Sequence, residues 1–206
     1  MSNNPIIVFE GIETSGKSTC LKKAIQYLKK NKIKYISFRE PGGTNLSEKL
    51  RQLMLNKKSK LNNKTDLFLL MASRSENFDK ILKENYKKKV ILIDRFIDST
   101  LAYQHYGMGL DKNLILRMNN FLLGNFKPNF TFLSVVDKKN MLKRLKSRKN
   151  KNKYDNFNYS FYNKVQKGFL KIALKNRSKY LILDSNKDSL KNIENKIIKK
   201  INKILK

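Results

Sequence analysis

Apolar residues in this chain come in two alternating rhythms. Ile6-Ile7-Val8-Phe9, Tyr35-Ile36-Ser37-Phe38, Val90-Ile91-Leu92-Ile93, Asn129 to Val136 and Tyr180-Leu181-Ile182-Leu183 are short, mostly apolar runs of buried-strand type. Between them, apolar residues recur every three or four positions: Leu21, Ala24, Ile25 and Leu28, then Leu46, Leu50, Leu53 and Met54, then Leu67, Leu70 and Met71. That spacing gives a helix one dry face. Further helices are expected from Lys138 to Arg148, from Tyr159 onward and from Lys187 to Leu205. Strands alternating with helices predict an α/β fold around a largely parallel sheet of five strands. No internal repeat and no Pro/Ser-rich linker interrupts the 206 residues, so one domain spanning 1–206 is expected.

Composition narrows the class of protein. The one cysteine, Cys20, excludes an internal disulfide and fits a reducing, cytoplasmic setting. It falls within the first helix and reads as a core thiol. No apolar leader and no run of 18 apolar residues appears, so neither a signal peptide nor a membrane span is expected. The net charge is +30. Lysines spread along the whole chain together with abundant Asn, Ile, Tyr and Phe, which is compositional drift rather than a nucleic-acid strip with interleaved aromatics. No specific nucleic-acid partner follows from it.

The chemistry begins where the first strand ends. Gly11-Ile12-Glu13-Thr14-Ser15-Gly16-Lys17-Ser18 reads G-x-x-x-x-G-K-S, followed by Thr19 and a helix. In that setting backbone N–H groups wrap phosphate oxygens and the helix N-terminus adds positive potential. Lys17 would reach the β- and γ-phosphates of a nucleoside triphosphate, and the Ser18 hydroxyl would ligate Mg²⁺.

Four other segments carry candidates. Arg39-Glu40-Pro41-Gly42-Gly43-Thr44 turns sharply after the second strand, with Thr44 able to cap the next helix and Arg51 on another face of that helix. Asn63-Lys64-Thr65-Asp66 matches the guanine-reading N-K-x-D but follows a polar stretch instead of a strand, so Asp66 reads as a helix cap. Arg74, beyond it, reads equally as a helix-edge ion pair or an anion clamp. Asp94, closing the third strand, is placed to hold Mg²⁺ or its water, with Arg95 at the same sheet edge. Thr100, Tyr103 and Gln104 fall at helical spacing, and Gln104 can both donate and accept toward a base edge. His105 reads as solvated. Residues 146–157, basic and polar, have the composition of a lid.

Taken together, these blocks resemble thymidylate kinase of the bacterial type. The resemblance rests on the phosphate loop, Arg39-Glu40-Pro41-Gly42-Gly43-Thr44, Asp94-Arg95-Phe96 with Ser99, and Ala102-Tyr103-Gln104, in that order. It implies a P-loop kinase fold, a five-stranded parallel sheet flanked by helices, and ATP- and Mg²⁺-dependent conversion of dTMP to dTDP by in-line phosphoryl transfer. It further implies a homodimer. Residues 11–19 and Arg144 would bind ATP. Glu13, Arg51, Leu70, Arg74, Arg95, Thr100, Tyr103 and Gln104 would bind dTMP, with the three arginines on its phosphate and Tyr103 against the deoxyribose. Lys17, Arg95 and the lid cation Lys153 are the expected catalytic groups, with Lys146 and Arg148 as supporting charges. The sequence departs from the family at Leu70, where a phenylalanine is usual, at Met108, where an arginine is usual, and at Asn152-Lys153, where Asp-Arg is usual. The rival readings are a kinase for another nucleoside monophosphate and a P-loop ATPase without an acceptor.

Overall fold

The computed structural model describes residues 4–56, 58–148 and 152–205. Lys149 to Lys151 of the expected lid, and residues 1–3, 57 and 206 of the expected domain, lie outside the described residues.

The five apolar runs become five strands: β1 (Ile6–Gly11), β2 (Tyr35–Arg39), β3 (Val90–Asp94), β4 (Phe130–Val135) and β5 (Tyr180–Asp184). They form one sheet in the order β2-β3-β1-β4-β5, and every pairing is parallel. β1 is central because Ile6 to Phe9 is apolar at every position and can be covered on both faces. Ile7 and Phe9 point to one side, where Leu28 of α1 (Lys17–Lys30) and Ile197 of the last helix complete the core. Ile6 and Val8 point to the other, toward Phe38, Ile93 and Phe96. Register then fixes the functional edge. Phe9 and Arg39 lie opposite Asp94 and Gly11 opposite Ser134, so the carboxyl ends of β2 and β3 are level and β1 and β4 run two to three residues further at the same edge. That edge is where open parallel sheets bind ligands.

The connecting helices are α2 (Asn45–Leu55), α3 (Asn63–Asn77), the short α4 (Lys83–Asn85), α5 (Ile97–Thr100), α6 (Lys112–Leu123), α7 (Lys138–Lys146), α8 (Tyr159–Lys175) and α9 (Leu190–Leu205). Thr44 caps α2 as expected, accepting from the Ser47 N–H at 3.1 Å. Asp66 does not cap α3. Asn62 does, accepting from Thr65 N at 2.9 Å, which leaves the Asp66 carboxyl for tertiary contacts. α6 is not foreseen by the strand-to-strand reading, although Asp111 caps it and Ile115, Asn119 and Leu123 bury one stripe. Beyond α5 the chain widens into a π-helical segment, Leu101–Gly107. His105 belongs to that segment and is half-buried, its Nδ1 2.8 Å from the Leu110 carbonyl, not solvated.

Candidate active site

A cavity of about 900 Å³ opens at the carboxyl edge of the sheet. Its floor is the loop between β1 and α1. Gly11 has φ +146°, and a Cβ there would lie 2.5 Å from the Ser134 carbonyl, so only glycine lets β1 run this close to β4. Gly16 has φ +92° with open space around its Cα, so its requirement is backbone conformation alone. Thr14 also has positive φ, at 60°, a strain typical of functional loops. Ile12 to Thr19 all line the cavity, while Gly11 lies just beneath it. Arg144 reaches over from α7 and donates to the Thr14 carbonyl at 3.0 Å and to Ser185 Oγ at 3.1 Å.

The metal pair expected from the sequence comes together here. Ser18 Oγ is 3.5 Å from Asp94 Oδ2, and Lys17 Nζ is paired with Asp94 Oδ1. Burial, reinforced by the neighbouring Arg95, pushes the Lys17 ammonium below the ordinary lysine range. Burial opposes the charged form of Asp94 as well, but Lys17, Arg95 and Arg51 outweigh it and hold the carboxyl below its usual range. Arg51 is pushed down to about 10 by burial and by the like charge of Arg39. Three cations thus converge on one carboxylate, and the excess positive field suits an anionic ligand.

After β3, Arg95 has φ +67°, and its side chain reaches Glu13 of the phosphate loop and the ring of Tyr103. Its Nη2 donates to Glu13 Oε1 at 2.9 Å, and Tyr103 donates its hydroxyl to the other Glu13 oxygen. The turn that carries Arg95 hangs on Glu10, which the sequence reading passed over. Glu10 is fully buried and accepts from Phe96 N at 2.8 Å, Ser99 N at 3.2 Å and Ser99 Oγ at 2.5 Å. Burial and the nearby Asp98 carboxyl push Glu10 up to about 7. Asp98 itself rises to about 6, chiefly through burial.

Arg74 resolves toward the ion-pair alternative. It is 1% exposed, with Nε on Glu40 at 2.7 Å and Nη1 on Thr100 Oγ1 at 3.0 Å and Asn119 Oδ1 at 2.5 Å. The guanidinium still borders the cavity. Thr100 stands behind it and does not line the cavity, because its hydroxyl is spent on Arg74. Leu70, Tyr103 and Gln104 do line it.

Lys153, expected to face the transferred group, does not reach the cavity. Its ammonium pairs with Asp66 at 2.8 Å, because the one-turn helix Lys153–Asn156 lays it against α3. Among the described residues of the lid, Arg148 is the cation that lines the cavity, held by Asp155 at 2.7 Å, and Asn152 and Tyr154 line it too. Among residues given no role from sequence, Arg39, Ser185 and Asp188 also line it. Arg39 and Ser185 sit at the carboxyl ends of β2 and β5, where the sheet-edge rule could have found them, and Asp188 lies in the loop that follows β5. Among the described residues, no group of three or more His, Cys, Asp or Glu gathers to hold a metal alone. No helix of the described residues is long and apolar enough to cross a membrane.

Comparison with known proteins now bears on this geometry. The family model "Thymidylate kinase" matches residues 9–197. The thymidylate kinase of Kosmotoga olearia is 35% identical over 194 residues, covering 94% of this chain and 93% of that protein. That of Wolbachia pipientis wMel is 38% identical, covering 95% of this chain and 98% of its own. The crystal structure of thymidylate kinase from Ehrlichia chaffeensis superposes with a TM-score of 0.78 at 33% identity, covering 97% of this chain and 99% of that one. With the sheet order, the phosphate loop and the facing arginines already in place, the chain belongs to the thymidylate kinase family.

Proposed function

We propose that this chain transfers the γ-phosphoryl group of ATP to dTMP, giving dTDP and ADP. The observation that carries this reading is the convergence of Arg51 and Arg95 on the cavity that the phosphate loop lines, with Arg95 held by Glu13 of that loop at 2.9 Å. A second anionic substrate needs convergent arginines that a simple ATPase does not. Lys17 and the N–H groups of the loop hold the donor phosphates, and Arg144 lies beside them. Arg51 and Arg95 hold the acceptor phosphate, with Arg74 as a buried brace at its edge. Tyr103, braced by Glu13, packs where the deoxyribose would lie, and Leu70 and Gln104 border the base. Catalysis is then positioning and charge neutralisation, with no covalent step on the protein.

Ser18 Oγ and the Asp94 carboxylate fit Mg²⁺, which binds through one or two protein oxygens plus substrate phosphates. When bound, that ion neutralises charge on the donor phosphates. The lid supplies the remaining cation, and Arg148 is a described lid cation already on the cavity wall. We read the chain as one domain acting in the cytoplasm. We also read it as a homodimer, since Leu114 and Phe121 form one exposed apolar stripe on α6 and Phe121 is 87% exposed. Light scattering of the purified chain checks the dimer.

The deciding assay is coupled ADP release with and without dTMP, dUMP, dCMP and dGMP. Release that requires an acceptor and is fastest with dTMP supports the reading. Equal ADP release without acceptor would point to an ATPase, and preference for another monophosphate to a sister kinase.

A further inference from the structure

The buried carboxylate of Asp66 gathers three donors from two other elements. Gln104 Nε2, from the π-helical segment, donates at 3.1 Å. Lys153 Nζ and the Tyr154 hydroxyl, both from the lid, donate at 2.8 and 2.7 Å. Asp66 is 1% exposed and stands outside the cavity, whereas Gln104 and Tyr154 line it. A carboxylate beside a primary amide fixes which way the amide turns, since only the NH₂ end can face it without repulsion. With its NH₂ end held toward Asp66, Gln104 has its carbonyl oxygen, an acceptor, as the other end of the amide, available to whatever occupies the cavity. Thymine and uracil offer an N–H at N3, whereas cytosine offers a lone pair there.

The geometry points to Asp66 as the positioning residue for base selection. It holds Gln104 in the orientation that turns its carbonyl oxygen away from the carboxylate and, through the same two oxygens, ties Lys153 and Tyr154 of the lid to that reader. The kinase reading assigned no part to Asp66, and sequence alone offered it only as a helix cap. This inference rests on the acceptor being a pyrimidine monophosphate. A site built around one hydrogen-bond sense rejects the opposite sense strongly, because a mismatch leaves buried polar atoms unpaired. In Asp66→Asn the asparagine can turn either end toward Gln104, so both amide orientations become available and the lid loses its ionic partner.

The test uses the full-length chain, with dTMP and dCMP binding measured by titration calorimetry. Hydrogen exchange is followed over residues 152–156 with and without dTMP. In Asp66→Asn the dTMP-to-dCMP affinity ratio should fall at least tenfold, with ATP affinity within twofold of wild type. The dTMP-induced protection of the lid should disappear as well. A folded Asp66→Asn protein with an unchanged ratio overturns the inference, because a purely structural role lowers stability without changing base preference. Lys153→Met, at a partly exposed position, decides the matter if Asp66→Asn does not fold. It leaves Gln104 on the carboxylate, so the ratio should stay within twofold while lid protection weakens. A collapsed ratio or undiminished protection in Lys153→Met overturns the inference. A wild-type chain that distinguishes the bases in binding yet never transfers phosphate sinks only the kinase reading, and one that binds neither monophosphate sinks both.

Discussion

The two walls of the cavity are built in opposite ways. The donor wall is a run of consecutive residues, Ile12 to Thr19, whose shape follows from two glycines, one strand end and one helix start. The acceptor wall is assembled from α2, α3, the turn after β3, the π-helical segment and the lid, held by contacts such as Asp66 to Tyr154, 88 residues apart. A local motif is robust because its geometry is enforced by neighbouring backbone. An assembled pocket depends on every packing contact that holds its parts, so substitutions there mix binding with stability.

The largest effect should come from the donor wall. Lys17→Ala is expected to abolish turnover, by at least a thousandfold, while circular dichroism and melting stay near wild type. Lys17 is buried, but its one acidic partner, Asp94, keeps Arg95 and Arg51 nearby when the ammonium is removed. Turnover within threefold of wild type would break the assignment of the loop.

On the acceptor wall, two arginines that look alike in sequence should part company. Arg95→Ala should raise the dTMP KM by roughly 10- to 100-fold, the loss of one charge-assisted clamp of about 1.5–3 kcal/mol, with the ATP KM little changed. Arg74→Ala should instead destabilise the fold by about 3–5 kcal/mol, because it strands the buried Glu40 carboxylate. Denaturant titration of both variants separates the two outcomes. Equal stability would show that the Arg74–Glu40 pair is not structural.

A smaller effect concerns the turn that carries Arg95. Glu10 rises to about 7 in the fold, largely through burial, against about 4.3 when unfolded. Between those values the folded chain keeps a proton that the unfolded chain has released. The group's contribution therefore falls as pH rises through that window and is level above it. Glu10→Gln can keep the acceptor contacts to Phe96 and Ser99 N–H and turn its amide toward Ser99 Oγ. Its stability relative to wild type should grow by about 2 kcal/mol between pH 5 and pH 8, read as a difference in Tm of about 5 °C. A pH-independent difference would show that the carboxyl is not protonated in the fold.

The smallest effect is at Leu70, 7% exposed on the cavity wall. Leu70→Phe should tighten dTMP binding by about 0.5–1.5 kcal/mol through ring stacking. Weaker binding by calorimetry would show that the pocket has closed around leucine.

The sequence by itself determined the five strands, the parallel α/β class and the phosphate loop. Each is specified by apolar periodicity or by residues within a few positions of one another, where backbone sterics leave few alternatives. It also pointed to Arg95, at the end of an apolar strand, and to Gln104 by its paired donor and acceptor, while Arg51 and Tyr103 followed from the resemblance of their motifs to the family. Tertiary structure alone decided how each polar side chain spends its hydrogen bonds. Asp66 offered one turn of helix to cap, yet Asn62 took that role and Asp66 turned to Gln104, Lys153 and Tyr154. Arg74 could have met a ligand or an acid, and Glu40 of another element took it. Glu10 hid inside an apolar strand until the turn after β3 folded onto it. A buried polar group must find a partner wherever the chain brings one, and those partners lie dozens of residues away, beyond the reach of any local pattern.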